Sequence, residues 1–204
     1  MGWRVVDAVR LQNVKPGWGA RHQELAALLA QASPDATCET AWANGSVPLR
    51  VAAYLGEASL PDELIVSIRC IVNVGNRIVV CTNAEGGRHP WPGGRREPGE
   101  TYQETACREV LEETGWQLDA TSLRPVGWLH LEDLTLRDDD WPFPHPDFLQ
   151  LVLSGTASTR VGGVDAEWTD TQGYEVSSQL LTAEEALAAV DPDPIASYFI
   201  EQLK

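Results

Sequence analysis

Between Gly94 and Trp116 the chain reads GRREPGETYQETACREVLEETGW, and within it Glu109, Glu112 and Glu113 stand at i, i+3 and i+4. On a helix that spacing stacks three carboxylates on one face. Like charges so close oppose the helix that carries them. Such a cluster therefore makes physical sense where cations occupy it. Hard oxygen ligands suit Mg²⁺ or Mn²⁺, and Mg²⁺ is commonly held by a few carboxylates together with substrate phosphates. The local signals agree with a helix here. Thr101 and Glu104 form a capping-box pattern that starts it, and Gly115 stops it. Ala106, Cys107, Val110 and Leu111 fall on another face and are expected to pack inward. The Gly/Pro-rich stretch from Asn83 to Gly99 leads in, so the segment reads as loop, helix, loop with one buried and one acidic face.

The remaining composition narrows the partners. The net charge is −15, with 30 acidic against 15 basic residues, and only two of the basic residues are lysines. A nucleic acid polymer would be repelled by such a surface unless a basic patch offset it, and no Lys/Arg-rich run is present. A small phosphorylated ligand remains compatible, because bound cations neutralise its charge locally. The four cysteines, Cys38, Cys70, Cys81 and Cys107, contain no C-x-x-C pair, which argues against a zinc ribbon and a disulfide framework. The first residues, MGWRVVDAVR, reach charge quickly, and no apolar run approaches the ~18 residues of a membrane span. The expectation is a cytoplasmic protein without membrane contact.

Along the chain, residues 1–62 read as an N-terminal extension with a short helix from Arg21 to Ala32 and a strand from Leu49 to Leu55. So small a unit packs on the main domain or on a partner chain, and a homodimer is open on this reading. Residues 63–204 read as the main domain. Leu64 to Val74 is rich in β-branched residues, Gly75-Asn76 is a turn signal, and Arg77 to Cys81 is the returning strand. Val126 to Leu131 and Phe148 to Leu153 are further expected strands, joined by a long acidic, proline-rich connection, and another is expected around Glu167-Trp168. Thr182 and Glu185 repeat the capping-box pattern before a helix to about Val190, and a terminal helix follows from Ile195. Hairpins mixed with helices indicate an α/β fold, a sheet flanked by helices.

The run from Gly94 to Trp116 also resembles the signature of the Nudix hydrolases, Gly-x5-Glu-x7-Arg-Glu-apolar-x-Glu-Glu-x-Gly-apolar. Gly94, Glu100, Arg108, Glu109, Val110, Glu112, Glu113, Gly115 and Trp116 fill every specified position. The resemblance implies a Nudix-type α/β/α sandwich with a mixed β-sheet and a loop–helix–loop catalytic element. It also implies Mg²⁺-dependent (or Mn²⁺-dependent) hydrolysis of the diphosphate linkage in a small nucleotide derivative. Nucleoside triphosphates, ADP-ribose or nucleotide sugars, and dinucleotides such as NADH all stay open. On this resemblance Glu109, Glu112 and Glu113 are metal ligands, joined by the Gly94 carbonyl. Glu109 or Glu113 could instead be the base. The alternative function is a non-catalytic Nudix-fold module that senses a nucleotide, against which the intact set of carboxylates counts.

Arg108 is expected to orient a glutamate by a bidentate pair, with Glu112 at i+4 and Glu104 at i−4 as candidates. Glu100 either holds the loop through backbone N–H groups, sits near the metals, or complements the helix N-terminus. Further on, Glu167 in its Glu-Trp context resembles a downstream glutamate that adds a metal ligand or base in the branch removing oxidised nucleotides; a surface acid beside a core tryptophan is the other reading. Arg95 and Arg96, with Arg69 and Arg88, lie on the strand and loop feeding the box and are candidates for substrate phosphates. Trp141-Pro142-Phe143-Pro144 resembles the core of the NADH pyrophosphatase motif, although Asp138–Asp140 precede it and Pro146 stands in place of the final serine. Trp141 and Phe143 either stack on a base or merely pack in a rigid loop, and Trp91 faces the same two fates. The histidines His89, His130 and His145 are assigned no role, since Mg²⁺ prefers oxygen.

Overall fold

A computed structural model describes residues 19–42, 45–137, 141, 143–190 and 193–202. The readings placed on Asp138–Asp140 and Pro142 lie outside them. The described elements are α1 (Gly19–Gln31), β1 (Ala36–Trp42), β2 (Val47–Leu55), β3 (Ile65–Val74), β4 (Arg77–Asn83), β5 (Arg88–His89), α2 (Tyr102–Thr114), β6 (Trp116–Leu118), β7 (Arg124–Asp133), β8 (Asp147–Arg160), β9 (Glu175–Leu181), α3 (Ala183–Val190) and α4 (Pro194–Glu201). The expected α/β class holds. Three strands go beyond the sequence reading: β1, whose residues are mostly exposed, and the very short β5 and β6. The strand anticipated around Glu167-Trp168 is not formed; those residues sit in a connection, and the strand lies further on, as β9. Among the described residues no helix is long and apolar enough to cross a membrane.

The chain divides into two compact units, Met1–Val66 with Gly127–Gln150, and Ser67–Val126 with Leu151–Lys204. In the first, β2 runs antiparallel between β1 (Ala36↔Ala53 to Trp42↔Val47) and β7 (Leu49↔Asp133 to Leu55↔Gly127). The register places Tyr54 opposite Trp128, and their rings stack 4.0 Å apart. Leu25 of α1 is buried, and Arg21 pairs with Glu63 at 2.8 Å.

In the second unit β4 is the hub. It forms the hairpin with β3 (Asn73↔Ile78, Val74↔Arg77) and pairs with β5 and, along most of its length, with β9. Helix α2 starts at a complete capping box, Thr101 with Glu104, and ends at Gly115 in the left-handed region at φ 72°. Ala106 and Val110 of its inner face are fully buried, as their spacing requires. Trp116 follows directly and is buried in β6, which pairs with β8.

What positions the acidic face is the approach of Pro92–Arg95 to β3. Ile68 N–H donates to Gly94 O (2.9 Å), Cys70 N–H to Pro92 O (3.0 Å), and Ser67 bridges to Arg95. Gly93 has φ 151°, and a Cβ there would lie 2.1 Å from Ile68 O. Backbone meets backbone at that point, so no side chain can be accommodated without moving the loop. Gly93→Ala should therefore lose about 3 kcal/mol of folding stability from overlap and strain together. Urea unfolding followed by tryptophan fluorescence measures this directly. A loss below about 1 kcal/mol would mean that the loop yields.

Candidate active site

All nine residues of the box lie in the second unit, together with the loop that feeds it. The centre of the arrangement is Arg108. Its Nε and Nη2 donate to both oxygens of Glu100 (2.7 and 2.9 Å). Nη2 also donates to Arg95 O (3.0 Å), and Nη1 to Glu109 Oε1 (2.8 Å) and Glu112 Oε2 (3.3 Å). The bidentate partner is thus Glu100. Glu104, the i−4 candidate, is occupied by the helix cap, where it accepts the Thr101 N–H and hydroxyl. Glu100 further accepts Glu97 N–H and the Thr105 hydroxyl, both at 2.9 Å, which makes it a clasp for the loop. The Arg108 guanidinium, seconded by these donors, holds the Glu100 carboxyl down at about 2.

The opposite occurs at the far end of α2. Burial pushes the Glu113 carboxyl up to about 8, with Glu175 and Glu109 adding to the shift and the Gly93 N–H and Arg69 opposing it. Burial likewise raises Glu109, against the pull of Arg108. Gly93 N–H donates to Glu113 Oε2 (2.8 Å), while Arg69 donates to the carbonyl of the same glycine. A Cβ on Gly94 would fall 2.5 Å from the Glu109 carboxylate, so any larger residue would displace that side chain from its place against the loop backbone. The Gly94 carbonyl accepts one N–H and retains a second lone pair. As they stand, no three His, Cys, Asp or Glu side chains among the described residues converge on a common point, because Arg108 and the Gly93 N–H hold several of the oxygens. The donor set nonetheless fits a hard divalent cation: it is all oxygen, and burial disfavours ionisation of two carboxylates that a cation would stabilise.

Other expected residues are placed as follows. Glu167 is exposed, whereas its neighbour Trp168 is built into the site's frame: Nε1–H donates to Glu112 O (2.9 Å), and the indole lies against Gly115. Arg95 is exposed and contributes its carbonyl to Arg108; Arg96 lies over the Tyr102 ring at 5.0 Å. Trp91 packs edge-on against Phe199, 5.8 Å between ring centres. Trp141 and Phe143 belong to the other unit, where they pack on each other at 5.6 Å and Arg137 covers the Trp141 ring.

The acid that the sequence reading did not find is Glu175, at the start of β9. Its side chain is 1% exposed, lies 2.8 Å from His89 Nε2, and acts electrostatically on Glu113. No local spacing announces it, since it reaches the box through the pairing of β9 with β4. The stretch that follows it, Val176 to Leu181, does not alternate between apolar and polar residues, so the sequence carries no strand signal there either.

The sequence model of the NUDIX domain matches residues 63–199. The Caenorhabditis elegans protein Nudix hydrolase 3 is 41% identical over 80 residues, 39% of this chain and 28% of that protein, so the chain spans little more than a quarter of that relative. A mutant form of a Bacillus subtilis pyrophosphohydrolase superposes with TM-score 0.53 at 16% identity, covering 81% of this chain and 96% of that one. A NUDIX hydrolase from Nitrosomonas europaea gives TM-score 0.51 at 21% identity over 68% and 87%. Likeness at these identities shows the fold. The chain belongs to the NUDIX domain family.

The shift at Glu113 carries a sign for stability. Free of cations, the folded protein holds a proton that the unfolded chain releases near the ordinary value of 4.5. Stability therefore falls as pH rises from there through about 8. Glu100 acts oppositely, and its contribution fades only as pH drops toward about 2, outside that window. Thermal melts in chelator should show the melting temperature declining between roughly pH 5 and 8, and Glu113→Gln should flatten the decline. An unchanged slope in the variant would place the titration elsewhere.

Proposed function

We propose that this protein hydrolyses the diphosphate linkage of a small nucleoside diphosphate derivative, with Mg²⁺ or Mn²⁺ held by Glu109, Glu112, Glu113 and the Gly94 carbonyl. One observation carries the reading. The complete box is folded so that Arg108 clasps Glu100 to the helix while Gly93 and Gly94 lie directly against Glu113 and Glu109. Oxygen donors from a loop and from a helix face thereby stand side by side. When bound, the ions would neutralise phosphoryl oxygens and lower the pKa of a water.

The protein's own groups supply positioning. Arg108 keeps the carboxylates from separating and fixes their rotamers. Before a cation binds, burial holds Glu113 up at about 8, so loading the site near neutral pH would release its proton. Glu175 adds a second buried acid, on β9, whose charge opposes ionisation of Glu113. Arg95 and Arg96 are proposed at the phosphates, on the loop entering the box. The small-molecule substrate, the exclusion of nucleic acid polymers by the net charge of −15, and a cytoplasmic location belong to the same proposal.

The test is incubation of pure protein and Mg²⁺ with ATP, ADP-ribose, NADH and UDP-glucose, with products identified by mass. Glu113→Gln resembles the neutral acid in shape, so it should fold normally and lose turnover about a thousandfold, the rate equivalent of several kcal/mol. Arg108→Lys, which keeps the charge but not the fork, should also slow turnover, by about tenfold or more. Binding of a nucleotide without any cleavage by the wild type would replace this reading with the sensing one.

A further inference from the structure

Glu175 reaches the catalytic face through a change of register. β9 pairs with β4 from Ile78↔Leu181 to Thr82↔Ser177. Continued regularly, Asn83 would face Val176, and Glu175 would face Ala84. The pairing shifts instead, and Asn83 faces Glu175. Opposed residues of an antiparallel ladder share a face, as do residues two apart on one strand. The one-residue bulge therefore moves Glu175 to the face of Cys81 and Asn83. β5 pairs Cys81 with His89, which puts His89 on that face as well. Burial agrees, since Glu175 is 3% exposed and the adjacent Val176 is 57% exposed. Cys81 on this face is buried, and helix α2, which carries the box, packs against β9.

On it His89 Nε2 lies 2.8 Å from Glu175 Oε1. Glu175 Oε2 is buried with no hydrogen-bond partner among the described residues, and so is His89 Nδ1. With no acceptor at Nδ1, the neutral ring carries its proton on Nε2 and donates it to Glu175. A buried carboxylate oxygen left bare is costly to keep unless something arrives to use it.

We propose that His89 is a positioning residue for the reaction, fixing one oxygen of Glu175 so that the other, Oε2, is the oxygen left to act. The role rests on the hydrolase reading above. The alternative is a purely structural clamp between β5 and β9, and the two differ in what they require of residue 89. Positioning needs an N–H where Nε2 stands; a clamp needs only a well-packed side chain.

The experiment compares wild type, His89→Leu and His89→Gln in the full chain, using the panel member cleaved fastest. Melting temperatures and ¹⁵N–¹H spectra of the histidine rings are recorded alongside. Leu fills the volume without a donor, and kcat should fall about 10- to 100-fold with little change in KM. Gln returns an N–H near the Nε2 position and should recover most of that loss. The wild-type spectrum should show a proton on His89 Nε2 whose shift moves in Glu175→Gln. Unaltered kcat in the Leu variant would overturn the proposal, as would equal slowing of both variants with matching losses of melting temperature. A wild type that cleaves nothing on the panel would sink the hydrolase reading and this role with it. That failure is distinct from the others, because the ring spectrum is read without substrate.

Discussion

Carboxylates crowded on one helix face repel one another, and the structure answers this with a single guanidinium. Arg108 contacts Glu100, Glu109 and Glu112 as well as the carbonyl of Arg95. Through Glu100 it grips the loop, which is itself laced to the backbone of Glu97 and to Thr105 on the helix. Loop and helix are thus joined through the arginine rather than merely adjacent. The planar fork is what permits so many partners at once, which a lysine ammonium would not serve in the same geometry.

The second constraint is closeness. Gly93 and Gly94 bring bare backbone against β3 on one side and against Glu113 and Glu109 on the other. Burial follows from that closeness, and it moves the acids of the box in opposite directions. Glu100, wrapped in donors, is held at about 2, while Glu113, buried with other acids nearby, rises to about 8. Two glutamates of one short motif acquire different chemistry from their surroundings alone.

This also explains what the sequence discloses and what it withholds. Helix α2, its cap at Thr101 and its stop at Gly115 are local facts, written in spacings of three and four residues, and they are legible at once. The acidic face is legible for the same reason. Arg108's choice of Glu100 over Glu104 is less so, because it depends on the capping box having already engaged Glu104. β1 escapes notice because its exposed residues give no burial pattern, and β5 because two residues carry no period. Glu175 and His89 meet only through two separate pairings with β4, at a separation of 86 residues. No pattern internal to either segment encodes that meeting. Glu167 drew attention by its dipeptide, but the tryptophan beside it is the member that is anchored to the helix.

The bulge in β9 separates the number of residues in the strand from the direction in which its acid points. Val176 is the extra residue between Ser177 and Glu175, and the bulge absorbs it. A chain one codon shorter at this point would set the same glutamate opposite Asn83 through a regular ladder, on the same face. A chain of equal length with a straight ladder would turn it away. Gain or loss of a single residue here leaves the acid on the same face, provided that bulge and residue come and go together. The face on which Glu175 lies is thus set by strand register and not by its distance in sequence from the box.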